Sequence, residues 1–193
     1  MPDPAPSLVA LSVEAFNDIL ARFQGALVRF VRGLVGNGED ARDLVQDVFV
    51  DAWRATQRRA PPFTTAADER AVRNWLFHAA YCNAVSALRH RGVIVWESLA
   101  MYDSADDEPA GPAGFEERIV EGAALRAALA TLEAPDLACL RLKIIEGFSA
   151  VEIGGILEIA PHAARKRLSR AMQRLRASYF AQQVTPGSGA NHE

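Results

Sequence analysis

Between residues 160 and 180 every ionisable side chain other than His162 and Tyr179 is basic: Arg165, Lys166, Arg167, Arg170, Arg174 and Arg176. Such a cluster can neutralise phosphate. A solvated basic face is the commoner fate of a basic helix, so the segment in front of it has to decide the matter. Ser149 stands three residues ahead of Glu152, so its hydroxyl can cap the Glu152 amide while the Glu152 carboxylate returns to the Ser149 amide, ahead of Ile153, Ile156 and Leu157. Glu158, Ile159 and Ala160 make a short connection, and Pro161 suits the first position of the next helix, where an N–H has no intrahelical partner. Ala164, Leu168, Ala171 and Leu175 supply that helix with a buried seam. A short capped helix, a tight turn and a basic helix form the pattern of a helix-turn-helix, whose second helix enters the DNA major groove. His162, Arg165, Lys166, Ser169 and Arg170 are then placed to meet bases or phosphates.

Other chemistries find little support. Cys82 and Cys139 lie far apart in helix-like stretches without paired CxxC spacing, and read as buried, reduced thiols. His78, His90, His162 and His192 show no HExxH or other recurring ligand spacing. The chain has no GxSxG elbow, glycine-rich phosphate loop or zinc signature. No metal, no cofactor and no catalytic activity are therefore expected. The net charge of −3 hides a strong segregation, because Glu97, Asp103, Asp106, Asp107, Glu108, Glu116, Glu117 and Glu121 crowd the middle of the chain, opposed only by Arg118. No apolar run is long enough to span a bilayer, and the first residues lack the basic start and apolar stretch of a signal peptide. A cytoplasmic protein without membrane insertion is expected.

The 193 residues, half of them hydrophobic, suffice for two small domains with a core each. Phe16, Ile19, Leu20, Phe23, Leu27, Phe30, Val31 and Leu34 mark one face of a first helix, which Gly36-Asn37-Gly38 ends. A second helix opens on acidic residues and carries Leu44, Val45, Val48, Phe49, Ala52 and Trp53 on one face. After a loop containing Pro61-Pro62, a third helix turns Val72, Trp75, Leu76, Ala79, Ala80, Ala84 and Leu88 inward. The expected architecture is all-α: one helical domain over residues 8–91, a flexible acidic linker over 92–114, a helix-turn-helix domain over 115–182 and a disordered tail over 183–193.

These residues resemble a known family, the extracytoplasmic-function (ECF) sigma factors, which are small two-domain sigma subunits of bacterial RNA polymerase. The string Glu39-Asp40-Ala41-Arg42-Asp43-Leu44-Val45-Gln46-Asp47-Val48-Phe49, continuing to Ala52-Trp53-Arg54, is similar to the family's polymerase-binding helix. Asn74-Trp75-Leu76-Phe77 with Ala84 and Leu88-Arg89 resembles its promoter-melting helix. Residues 128–176 resemble its second domain, including Glu146-Gly147-Phe148-Ser149 and Arg167-Leu168-Ser169-Arg170-Ala171.

The resemblance implies an alternative sigma factor with core RNA polymerase and promoter DNA as partners, and an anti-sigma protein as inhibitor. It implies that Asp43, Gln46 and Asp47 grip the polymerase clamp, and the residues agree, since carboxylates four apart share one helix face. It further implies that the first domain holds the opened downstream element as single strand, for which Arg59, Arg73, Trp75, His78, Tyr81, Arg89 and Arg91 are the candidates, offering stacking surfaces and positive charge. Trp75 also fits the apolar period of its helix and serves a core role equally well. The rival expectation is a helix-turn-helix regulator that binds DNA without polymerase, which leaves the match at residues 43–53 unexplained. The chain departs from the family pattern where glycine and a capping Ser or Thr are usual, with Glu158 and Ala160 there instead, and again at Tyr81, Cys82 and Ser86 of the melting helix. A missing cap costs about 1 kcal/mol, and Glu158 is strained if its φ is positive.

Overall fold

The computed structural model describes residues 12–57, 69–91 and 115–184, with side chains from residue 122 to residue 182 in the last segment. Arg59, the linker at 92–114 and the tail beyond residue 184 lie outside the described residues. All described regular structure is helical: α1 Val13–Val35, α2 Gly38–Thr56, α3 Glu69–His90, α4 Phe115–Ala130, α5 Ala134–Ile144, α6 Ala150–Ile156 and α7 Pro161–Val184.

Helices α1 to α3 form the first domain. Ser12 caps α1 by accepting the Ala15 amide, and Gly36, at φ 77°, ends it in the left-handed conformation that a glycine adopts without steric cost. Asn37 at once caps α2 by accepting the Glu39 amide, with Glu39 and Asp40 in the first turn where the helix dipole favours negative charge. This two-residue elbow fixes how the acidic helix leaves α1. The core between the helices holds Phe16, Phe23, Leu27, Phe30, Val45, Val48, Phe49, Leu76 and Phe77. Phe16 meets Phe49 and Trp53 edge to face, at centroid separations of 6.4 and 5.1 Å.

Helices α4 to α7 form the second domain. The box read from Ser149 and Glu152 is present in full: the Ser149 hydroxyl accepts the Glu152 amide at 3.3 Å, and the Glu152 carboxylate accepts the Ser149 amide at 2.8 Å. The Ser149 hydroxyl also donates to the Glu152 carboxylate at 2.6 Å, and this bond, with the one from the Ser149 amide, holds the Glu152 carboxyl well below its ordinary range, at about 2. The turn into α7 is closed by the Ile159 amide on the Gly154 carbonyl at 2.8 Å. It packs so closely that a Cβ on Gly154 would come within 2.7 Å of the Ile159 carbonyl oxygen. Glu158 adopts φ 54°, so the strain expected there is present. Asp136 in α5 is buried and paired with Arg174 at 3.2 Å and Arg167 at 3.7 Å of α7. Two of the basic residues of α7 thus hold their own domain together.

The two domains share one core rather than standing apart. An aromatic row runs from Phe30 in α1 through Phe77 in α3 to Phe148 in the turn before α6, with centroids 5.3 and 5.1 Å apart. Phe148 is fully buried although it belongs to no helix, with Phe77 and the Arg73 guanidinium against its ring. Arg141 of α5 reaches α1 and donates to the Arg29 carbonyl at 2.6 Å. It can do so because Gly33 has no side chain, and a Cβ there would coincide with the Arg141 guanidinium. The reading of both cysteines as buried needs one correction. Cys139 is buried and its thiol is pushed up to about 11 by burial, but Cys82 is exposed. It lies between His78 and Ser86 on the side of α3 that turns away from the first domain's core.

Candidate nucleic-acid and polymerase interface

Helix α2 presents its residues as its period requires. Ala41, Val45, Val48 and Phe49 are buried, and Asp43, Gln46 and Asp47 are exposed on the opposite face. Asp47 edges an open groove of about 440 Å³ between α2 and α3, which Leu44, Val50, Asp51, Asn83 and His90 also line. Acidic groups at such a rim suit a basic or amide-rich partner surface.

Helix α7 is likewise presented outward. Ala164 and Ala171 are buried, while His162, Arg165, Lys166, Ser169 and Arg170 are all exposed along its first turns. Arg167, half-buried, and Arg174, still exposed, both pair with Asp136, whereas Arg165, Lys166 and Arg170 form an exposed basic row without that tie.

The candidates on α3 are arranged differently. Arg73 donates to the Glu146 carbonyl and lies over the Phe148 ring, 3.8 Å from its centroid. The Nδ1–H of His78 donates to the Ile156 carbonyl at 2.9 Å, and its Nε2 faces the Glu158 carboxylate at 3.8 Å. Trp75 packs against the core, which favours the structural side of its two readings. Tyr81 is half-buried, and burial raises its phenol pKa, with Arg167 and Arg89 pulling the other way. Arg91 pairs with Asp40 at 2.7 Å, tying the end of α3 to the start of α2. Arg89 is exposed. The structure therefore brings the α7 candidates together on one open face and divides the α3 candidates among core, seam and solvent. Sequence reasoning missed Phe77 and Phe148 as a pair, and the one signal in reach was the aromatic at 148 inside a glycine-flanked turn.

Comparison with known proteins agrees with this division of the chain. Residues 19–92 match the family model of Sigma-70 region 2, and residues 122–175 match that of Sigma-70, region 4. The sigma factor CarQ of Myxococcus xanthus is 32% identical over 164 residues, which cover 84% of this chain and 88% of CarQ. The chain belongs to the ECF sigma factors. It carries the two regions with which such alternative sigma factors direct promoter-specific transcription initiation. The ECF sigma factor SigE of Mycolicibacterium smegmatis is 29% identical over 86% of this chain, and the match spans 62% of SigE. Among solved structures, the sigma factor RpoE of Bartonella quintana, in complex with the anti-sigma factor NepR, superposes with a TM-score of 0.62 at 26% identity, covering 87% of this chain and 98% of that one. Among the described residues, no helix is long and apolar enough to cross a membrane.

Proposed function

We propose that this sigma factor docks on core RNA polymerase through Asp43, Gln46 and Asp47, reads the upstream promoter element with α7, and holds the opened downstream strand along α3. The observation that carries the reading is the exposure of the three α2 residues and the five α7 residues on separate helix faces whose opposite sides are buried. A protein that binds both a polymerase and a duplex needs two such surfaces at once. His162, Arg165, Lys166, Ser169 and Arg170 would enter the major groove, where guanidinium pairs with guanine and ammonium with phosphate. Arg73, His78, Tyr81 and Arg89, with Arg59 and Arg91 at the flanks, would meet unstacked bases and their phosphates. The polymerase performs the chemistry, and no step requires catalysis by this chain.

An anti-sigma protein is the expected inhibitor, as NepR partners RpoE of Bartonella quintana. The cytoplasm, where polymerase acts, is the expected location. The test is capture of purified core polymerase by the purified chain, followed by promoter-dependent transcription. Binding to core and new promoter specificity are expected. Duplex binding without core association would instead assign the chain to the polymerase-independent regulators.

A further inference from the structure

One carboxylate stands against the basic helix. Asp136, in the first turn of α5, is buried, and its two oxygens are divided between two arginines of α7. Oδ2 accepts a hydrogen bond from Arg174 at 3.2 Å, and Oδ1 faces the Arg167 Nε at 3.7 Å. Helix α7 has no acidic residue of its own from 161 to 184, and among the described residues no other carboxylate forms an ion pair with it. Arg174 is the telling partner. Its side chain is 55% exposed, open to water and to phosphate, yet it is tied to a carboxylate that is only 12% exposed. We propose that Asp136 is a specificity-determining residue for promoter reading: by holding Arg167 and Arg174 it keeps two cations of α7 off the DNA phosphates, so that the helix holds any duplex less tightly and depends more on the bases it meets. The inference rests on the assignment of α7 to the upstream element.

Attraction to phosphate is the same on every sequence, whereas discrimination is a difference between two affinities. Each cation of α7 that is free to meet phosphate therefore strengthens the wrong complexes together with the right one, and wrong sites vastly outnumber right ones in a genome. The two complexes do not gain equally. Arg167 and Arg174 are seven residues apart on the side of the helix that carries Ala164 and Ala171, turned toward α5 and away from the row of Arg165, Lys166 and Arg170. In a seated complex the base contacts fix the pitch of α7, and long side chains on that flank have few phosphates within reach. On an arbitrary duplex nothing fixes the pitch, so released guanidinium groups can turn to whichever phosphates are nearest. Holding them back costs the arbitrary complex more. Stability alone does not require a carboxylate here, since a buried ion pair is often matched or exceeded by apolar packing of the same volume. The first turn of α5 is a place where the helix dipole favours a negative charge, which suits the position to this task.

The test uses the full-length chain and two duplexes, one carrying an upstream element selected from a random pool by the wild-type chain with core polymerase, the other a scrambled version of it. Asp136→Asn keeps the shape of the side chain and removes its charge. The variant is expected to bind the scrambled duplex roughly ten-fold tighter at low salt, with a plot of log affinity against log salt steeper by up to about two. Its preference for the selected duplex should shrink. Adding Arg167→Gln and Arg174→Gln to Asp136→Asn should return the slope to that of the wild type, a rescue that a merely structural role would not give. Weaker binding to both duplexes at an unchanged slope would make Asp136 a structural tie only and overturn the proposal. Arg174→Gln alone gives a second test that does not depend on how the Asn variant folds. Its slope should equal that of the wild type, because the paired guanidinium meets no phosphate, and a slope lower by about one overturns the proposal. Arg165→Ala with Lys166→Ala in the same assay separates the two layers of the argument. If that variant keeps the wild-type preference, the reading of α7 fails and the proposal falls with it. If it loses the preference while Asp136→Asn leaves the slope unchanged, α7 remains the reader and the proposal alone fails.

Discussion

Helices α3 and α7 are the two that this chain would bring to DNA, and they are prepared in opposite ways. The outward residues of α7 are exposed, and Arg167 and Arg174 are engaged by Asp136 of its own domain, so the helix is finished as a reading head before any partner arrives. On α3, Arg73 and His78 are engaged by the second domain and Trp75 by the core. A duplex offers its groove and phosphates without prior work, whereas a melted strand exists only after base pairs have been broken. Residues for the first can stand open at all times. Residues for the second gain nothing from standing open early.

The contrast can be tested from its strongest consequence downward. The α2 face, open like that of α7, should be the most sensitive. Asp43→Arg with Asp47→Arg turns an attractive contact with a basic partner into repulsion, which can cost several kcal/mol across an interface. On a solvated helix face, the same change alters folding by only about 0.5 kcal/mol. Loss of core-polymerase affinity with an unchanged thermal unfolding curve is the expected pair of results, and retained affinity would remove this helix from the docking surface. Next comes α7 itself. Arg165→Ala with Lys166→Ala should cost ~1 to 3 kcal/mol wherever a base contact is lost and lower the salt slope by about one for each phosphate contact. Upstream-duplex titrations at several salt concentrations separate the two, and unchanged affinity and slope would mean that α7 is not the reader.

Smaller effects probe the turn between α6 and α7. Glu158→Gly removes the positive-φ strain and should stabilise the chain by up to about 1 kcal/mol, since the exposed pairing with His78 that is lost contributes little. Chemical denaturation would show it as a raised midpoint at constant slope, and a lowered midpoint would mean that Glu158 is held by more than its backbone. The smallest effect concerns acid. Because the folded pKa of Glu152 is held at about 2, below its ordinary value of 4.5, its contribution is present above pH 4.5 and fades as pH falls from there toward 2. Glu152→Gln should flatten that part of the stability profile, and an unchanged acid limb would assign the loss to other carboxylates.

Much of this was legible in the sequence where the cause was local. The Gly36-Asn37 elbow, the Ser149 and Glu152 box, the Pro161 start and the strained Glu158 each depend on neighbours within a few residues, and each stands as read. The exposed and buried sides of α2 followed from a single clean apolar stripe. Helix α3 was harder, because it is apolar on more than one side. Val72, Leu76, Ala80 and Ala84 follow the period set by the first domain, and Phe77 points toward a partner found far along the chain. Periodicity reports that a face is buried and never names what buries it. The capture of Arg73 by Phe148 was hidden for the same reason, since it depends on where the second domain sits, while Cys82 is exposed because its face of α3 turns away from the first domain's core.

Gly33 and Arg141 are joined by an absence: one residue has no side chain where the other has the longest fork available. Across lineages, such a fit ties the histories of two positions in different domains. A chain that acquires even a methyl group at 33 loses the reason to keep a long guanidinium at 141, and a chain that shortens 141 frees 33 to become an ordinary helix residue. The two positions should therefore drift together, and their joint inheritance would record, without any structure being solved, which descendants still fold one domain onto the other.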